Sequence, residues 1–421
     1  MNRTSLRGSR ARGLASAIVA AAALAGVFGM LVAQADAARA HKASHHPHFK
    51  HPKLKHGVLT VKGTRASDRI ALRLKAGDPA TLQVDLDDDG SADFQFRRAD
   101  IAQIVVKARA GDDFIRMDES NGAFTDTIPT TLDGGRGDDQ ISGGRGVELF
   151  LGGSGNDTID GNQGNNTALM GAGDDTFIWD PGDGSDVVEG QDGADTMRFN
   201  GANIAEKFEL SANGPRLRFT RDIGNITMDT DDVERVDVNA LGAVDLVTVH
   251  DLSGTDVTRV NVDESNPAGS GLGDNAADQV VVEGTNDADT INVTGDASAV
   301  AVSGLQALVT IQHPEATDKL AVNALGGNDT VSAAALPAQV IGLTIDGGND
   351  DDTLAGSRGV ELLLGADGND TIDGNQGNDR ALMGAGDDTF IWDPGDGSDV
   401  VEGQDGADTM RFNGANIAEK F

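Results

Sequence analysis

From Gly134 the chain divides into consecutive nine-residue units with nothing left over: GGRGDDQIS, GGRGVELFL, GGSGNDTID, GNQGNNTAL and MGAGDDTFI. A two-residue insertion, Trp179 and Asp180, then precedes PGDGSDVVE and GQDGADTMR. From Gly347 the series returns as GGNDDDTLA, GSRGVELLL, GADGNDTID, GNQGNDRAL and MGAGDDTFI, and the same insertion follows as Trp392 and Asp393. So short and strict a period restricts the fold more than any bulk property. Each unit offers one apolar side chain at its eighth position: Ile141, Phe150, Ile159, Ala168, Phe177, Val188 and Met197 in the first series. One such side chain cannot stabilise nine residues, so neighbouring units must stack on one another. Glycines at positions one, two and four allow tight turns through left-handed backbone conformations.

Composition points the same way. The 421 residues include 56 Gly but only 14 Phe, 2 Trp and no Tyr, which excludes a thick core filled by aromatic side chains. Between the arrays, segments such as LTVKG, LQVDLD, QIVVKA, RVDVNA and QVVVEG alternate apolar and polar residues and read as strands. No segment beyond the amino terminus shows a long amphipathic helical period. The chain is expected to be all-β.

The module is duplicated. Residues 146–208 recur as 359–421 with five differences: Phe150/Leu363, Gly153/Ala366, Ser154/Asp367, Asn166/Asp379 and Thr167/Arg380. Weaker likeness extends upstream, where VKGTRASDRIAL from Val61 matches VEGTNDADTINV from Val282. The first copy continues past Phe208 while the second stops at Phe421, so the last residues are expected to lack packing partners.

The nonapeptides resemble the RTX, or haemolysin-type, calcium-binding repeat GGxGxDxUx. That resemblance implies a parallel β-roll, with arrays set inside duplicated β-rich modules. It also implies calcium between turns eighteen residues apart, held by the position-six aspartate and turn carbonyls, a hard-oxygen set suited to that ion. Asp139, Asp157 and Asp175 then line one edge, and Asp352, Asp370 and Asp388 their counterpart. The opposite edge carries Glu148 and Asn166 in the first copy, a poorer site, but Glu361 and Asp379 in the second, where binding should be better. Beyond the Trp-Asp insertions the phase is open, and Asp186, Asp195, Asp399 and Asp408 rank second.

Electrostatics supports a bound cation. The chain carries 68 Asp and Glu against 33 Lys and Arg, a net charge of -35; residues 1–56 hold nine of the bases and one acid, which leaves -43 for the remainder. Stacked turns bring these charges together, and cations relieve the repulsion. Nucleic acid is excluded as a partner on the same ground. With no cysteine, disulfides, thiolate metal sites and cysteine nucleophiles are excluded. A separate acidic loop, Asp85 to Asp93, has Asp85, Asp87 and Asp89 ahead of Gly90 like the start of a DxDxDG calcium loop, but Phe96 stands where an EF-hand has its bidentate Glu. It reads equally as an acidic hairpin turn.

The amino terminus reads as an address. Arg3, Arg7, Arg10 and Arg12 precede an Ala-rich apolar run and the small-residue pattern AQADAA, a secretory signal peptide over residues 1–37 that leaves no stable membrane span after cleavage. Residues 38–56, with six of the eight histidines, read as a disordered His/Lys-rich linker. The remaining expected divisions are β-rich segments at 57–131 and 203–345 and β-rolls at 132–202 and 346–421. Trp179 and Trp392 read as apolar anchors over the break in the repeat, in preference to a sugar-stacking platform. Neither HExxH nor GxSxG occurs. The expected function is that of a secreted, extracellular, non-enzymatic calcium-binding protein. Two alternatives stay open: a calcium-dependent surface adhesin binding polysaccharide, and a secreted hydrolase or lyase with an unrecognised active site.

Overall fold

The structure, a computed structural model, describes residues 49–415. These fall in one compact unit, His48–Phe421. The expected signal peptide lies outside the described residues. Within them there is no α-helix, only a short 3-10 turn at Arg98–Asp100. Accordingly, no described helix is long and apolar enough to cross a membrane.

The chain winds as a parallel β-roll. It lays Thr130–Arg136 in one ladder, turns, lays Gln140–Ser142 in a second, then turns back to Glu148–Ser154 beside its first strand. Phe150 sits opposite Leu132 on one side and Ala168 on the other. Ile159 sits opposite Ile141 and Phe177. Two nonapeptides therefore make one turn, and residues eighteen apart stack in columns. All seven position-eight side chains of the first array are buried, as expected, and form the thin core between the ladders. Alternation along each strand explains it: in Gln140–Ser142 and Thr158–Asp160 the middle residue faces in and its two neighbours do not.

The same two ladders pass through the segments outside the arrays. Thr130–Arg136 and Gly342–Asn349 each lie across an expected domain boundary without interruption. Val58–Lys62 pairs in parallel with Gln103–Lys107, and that strand with Thr130–Arg136. In three places a strand of the stack is expanded into an antiparallel three-stranded meander. One comprises Arg69–Lys75, Asp78–Asp85 and Phe94–Arg97. Another comprises Lys207–Asn213, Arg216–Arg221 and Ile226–Asp231. The third comprises Thr290–Asp296, Ala299–Ser303 and Leu308–Gln312. In the last two, the outer strands still pair in parallel with the rungs on either side, so the stack resumes in phase.

One expectation is corrected. The linker was expected to be unstructured through residue 56, yet Lys50–Lys55 forms a strand antiparallel to Val58–Lys62, reversing at His56 and Gly57, both at positive φ. This strand covers the end of the first ladder, where Pro52 and the lysines are tolerated because one of its sides needs no backbone partner.

The Trp-Asp insertions lengthen a turn without shifting the stack. Val187 pairs with Thr167 and Thr196 with Thr176, twenty residues apart instead of eighteen. Trp179 is fully buried, its ring stacked on Phe199 at 3.9 Å, and its Nε1–H donates to the Gly184 carbonyl at 2.8 Å. That is an anchor, with no face left for a sugar. Trp392 makes the same hydrogen bond to Gly397, but its neighbour Phe412 is half exposed where Phe199 is covered by Phe208 and Phe219.

Because the core is one side chain thick, each inward residue matters. Phe177→Ala is expected to lower unfolding free energy by about 3–5 kcal/mol, whereas Val147→Ala at an exposed position stays within about 0.5 kcal/mol. Urea unfolding at saturating calcium measures both.

Candidate metal centre

The turns between ladders convert the repeat into a row of carboxylates. The position-six residue ends the turn just before a strand, and its backbone N–H points along the stack. Asp139 N–H donates to Asp157 Oδ1 at 2.8 Å, Asp157 N–H to Asp175 Oδ1 at 2.6 Å, and Asp175 N–H to Asp195 Oδ1 at 2.8 Å. Each carboxylate thus satisfies the amide of the rung before it. Its second oxygen does not share in this: Oδ2 of Asp139, Asp157, Asp175 and Asp195 is buried with no hydrogen-bond partner.

The glycine at position one faces that oxygen. A Cβ on Gly134 would lie 2.3 Å from Asp139 Oδ2 and 2.9 Å from the Gly152 carbonyl oxygen, so a carboxylate and a neighbouring turn's carbonyl converge on one small space. Gly134 has no left-handed φ, which corrects the expectation for position one: glycine is needed there for room. At position four the expectation holds, since Gly155 sits at φ +119 with its missing Cβ 2.3 Å from the Gly137 carbonyl oxygen.

In the second array, Asp352 N–H donates to Asp370 Oδ1 and Asp370 N–H to Asp388 Oδ1, both at 2.8 Å. Asp388 N–H reaches Asp408 Oδ1 at 3.3 Å, where Asp408 is exposed. On the opposite edge Glu148 N–H donates to Asn166 Oδ1, and Asn166 N–H to Asp186 Oδ1. Its counterpart runs from Glu361 through Asp379 to Asp399. The two edges differ at two positions: Glu361 accepts from the Ser357 N–H and hydroxyl, whereas both oxygens of Glu148 are buried without partners. Asn166 Nδ2 donates to the Gly161 carbonyl at 3.1 Å, whereas Asp379 Oδ2 is buried and unpartnered. The phase beyond the insertions is settled by these bonds: Asp195 and Asp408 continue one edge, Asp186 and Asp399 the other.

Several members of the rows lie outside the nonapeptides and were not anticipated. Asp68 N–H donates to Asp113 Oδ1, and Asp113 N–H to Asp139 Oδ1. Asp289 N–H donates to Asp329, whose own N–H reaches Asp352. On the other edge Glu206, Asp245, Asp278 and Asp318 form the same chain of bonds. An acid two residues before a buried apolar residue, as in GDDFI and GAVDLV, is the signal they share.

Burial raises these carboxyls first of all, and neighbouring carboxylates add to it. Asp113, Asp157, Asp195, Asp352 and Asp379 are pushed up to about 7, and Asp139, Asp175 and Asp370 to about 6. The hydrogen bond each accepts from a backbone N–H opposes the rise.

The Asp85 loop is different. It forms the acidic hairpin turn between Asp78–Asp85 and Phe94–Arg97. Asp85 is buried, pairs with Arg73 at 2.8 Å and accepts the Gly90 N–H at 3.0 Å, while Asp89 accepts the Ser91 N–H. Here an arginine supplies the positive charge beside Asp85. A further trio, Asp231, Asp232 and Asp256, brings ligand atoms within 4.8 Å of one another, but two of the three are exposed.

A row of buried carboxylate oxygens beside turn carbonyls, with no base opposite, is the donor set of a hard cation. The family model for the RTX calcium-binding nonapeptide repeat (4 copies) matches residues 131–147, 145–177, 182–203, 344–360, 356–390 and 395–416. The chain carries RTX calcium-binding nonapeptide repeats. It is a calcium-binding β-roll protein, and calcium is the ion these repeats take. The matched segments fall within the two RTX arrays and leave the meanders outside. No curated protein matches the chain.

The raised carboxyls fix the sign of the pH dependence without calcium. Between about pH 4 and 7 the folded RTX stack holds protons that the unfolded chain has released, so ion-free stability falls as pH rises through that window. The far-UV strand signal in excess chelator is expected to be weaker at pH 8 than at pH 5; a stronger signal at pH 8 would contradict the arrangement. Calcium affinity should run the opposite way, since the ligands must be deprotonated.

Proposed function

We propose that the chain is a secreted, non-enzymatic protein whose β-roll is folded and rigidified by calcium bound to Asp139, Asp157, Asp175, Asp352, Asp370 and Asp388. Asp379, Asp195, Asp186, Asp399 and Asp408 act as further ligands where their edges continue. The observation that carries this reading is the row of partnerless Oδ2 atoms, each buried next to turn carbonyls. Among the described residues no base forms an ion pair with them. Calcium would supply that positive charge and draw adjacent rungs together, while the protein's part is to hold the carboxylates at fixed spacing and to exclude water.

The ion's role is structural. For extracellular sites with dissociation constants of about 0.1–1 mM, millimolar calcium stabilises by roughly 0.4–1.4 kcal/mol per site. Several sites together rival the stability of a whole domain. The signal-like residues 1–37 support a route out of the cell, and the chain then stays expanded where calcium is scarce and folds where it is abundant.

Circular dichroism of the full chain during a calcium titration tests this. The strand signal should rise cooperatively, with Asp157→Ala and Asp370→Ala each moving the midpoint to higher calcium; an equally ordered chain in excess chelator would falsify the reading. A second comparison separates the two weaker edges. Asn166→Asp should add calcium bound at saturation, and Asp379→Asn should remove it, as measured by equilibrium dialysis.

A further inference from the structure

The turn that follows the second meander joins Ile226–Asp231 to Arg235–Asn239 and carries Asp232, Val233 and Glu234, which lie outside the segments matched by the repeat family. It lies next to the last nonapeptide of the first array: Glu189 pairs with Asp231, and Thr196 with Arg235. Asp195 N–H donates to Glu234 Oε2 at 2.6 Å, just as Asp139 and Asp157 donate to the next aspartate of the array. A glutamate of the meander turn therefore takes the place of the next repeat aspartate.

The space beside Asp195 is also completed from this turn. Gly190 has no left-handed φ, and a Cβ on it would lie 2.6 Å from Asp195 Oδ2 and 1.7 Å from the Asp232 carbonyl oxygen. Inside the arrays the same construction occurs at Gly152, with Asp157 Oδ2 at 2.6 Å and the Met170 carbonyl oxygen at 2.2 Å. It occurs again at Gly365, with Asp370 Oδ2 at 2.5 Å and the Met383 carbonyl oxygen at 2.1 Å. Two oxygens that converge so closely can share one calcium at about 2.3–2.6 Å. Asp195 is fully buried, and its Oδ2 has no hydrogen-bond donor.

Cradles of this shape outside the repeats are closed by the chain itself. At Gly63, Asp68 Oδ2 accepts the Thr64 N–H at 2.5 Å, and at Gly284, Asp289 Oδ2 accepts the Thr285 N–H at 2.7 Å. At Gly201 the Glu206 carboxylate is taken by the Ala202 N–H and by Arg221. A threonine turn or an arginine thus supplies there what Asp195 Oδ2 lacks. A buried carboxylate left open in this way keeps a proton or takes a cation.

We propose that Asp195, the Asp232 carbonyl and Glu234 form a calcium site built half from the last repeat and half from the meander turn. Asp195 Oδ2 and the carbonyl are its ligands, while Glu234 positions the Asp195 turn and adds negative charge. The site rests on the calcium reading of the arrays and extends it to residues that belong to no repeat. Its ion would tie the meander to the array, so that the order calcium imposes reaches past the nonapeptides.

The test is calcium binding by the full chain, measured by equilibrium dialysis of calcium chloride, for Asp195→Asn, Glu234→Gln and Asp157→Asn. The amide introduced by Asp195→Asn can donate to the Asp232 carbonyl as Asn166 Nδ2 does to the Gly161 carbonyl, which closes the cradle without an ion. Asp195→Asn is expected to bind one calcium fewer per chain, and Glu234→Gln to weaken a class of one ion about tenfold. In excess chelator the strand signal of Asp195→Asn should be at least as strong as the parent's, which separates loss of a ligand from loss of the fold. Unchanged stoichiometry and affinity in Asp195→Asn would overturn the site. Loss of calcium in Asp195→Asn with every affinity unchanged in Glu234→Gln would overturn the part given to the meander turn. If Asp157→Asn alone loses calcium, the array reading stands without this site; a parent chain that binds no calcium overturns the array reading itself.

Discussion

Everything in this roll depends on a carboxylate that serves two masters. One oxygen accepts the N–H of the preceding rung, which ties the turn to the stack; the other is left buried among carbonyls and more carboxylates. The first contact requires the ionised or polar form to be in place, and the second makes ionisation costly. Strands in a ladder are about 4.8 Å apart, well inside the roughly 10 Å over which 0.1 M salt screens charge. Monovalent ions in bulk solution therefore relieve little of the repulsion along a row. A divalent ion lodged between rungs acts where the field is strongest.

The chain balances its buried acids in two ways. Asp85 with Arg73 and Glu206 with Arg221 are closed internally, by arginines carried on strands of the meanders. Among the described residues, the row aspartates of the arrays have no such partner. The division follows the architecture: a meander brings in extra strands whose side chains can reach the row, while the arginines of the nonapeptide turns, Arg136, Arg145 and Arg358, make no ion pair with the row aspartates. Charge is thus balanced internally at Asp85 and Glu206, and not at the row aspartates of the arrays.

Much of this was legible in the sequence because the period is strict. The column through Ile141, Ile159 and Phe177, and the pairing of Asp139 with Asp157 and Asp175, follow from counting in eighteens. Where the count breaks, so did the reading. Asp113, Asp245, Asp278 and Asp318 join the same rows, but at separations of 26, 33 and 40 residues that no fixed repeat reveals. In the sequence a position-one glycine reads as a conformational need, because sequence alone does not distinguish a left-handed φ from a space reserved for a carboxylate. Strand Lys50–Lys55 was hidden by composition: its histidine, lysines and proline look like a linker until an uncovered ladder end is there to receive them.

The meanders show how tolerant such a scaffold is of added chain. Because the outer strands of the second and third hydrogen-bond to the rungs above and below as a single strand would, the roll re-enters its column after each of them. Insertions at the corners are therefore nearly neutral for folding, and a lineage can elongate a bend, decorate it and try out new chemistry there while the axis stays straight.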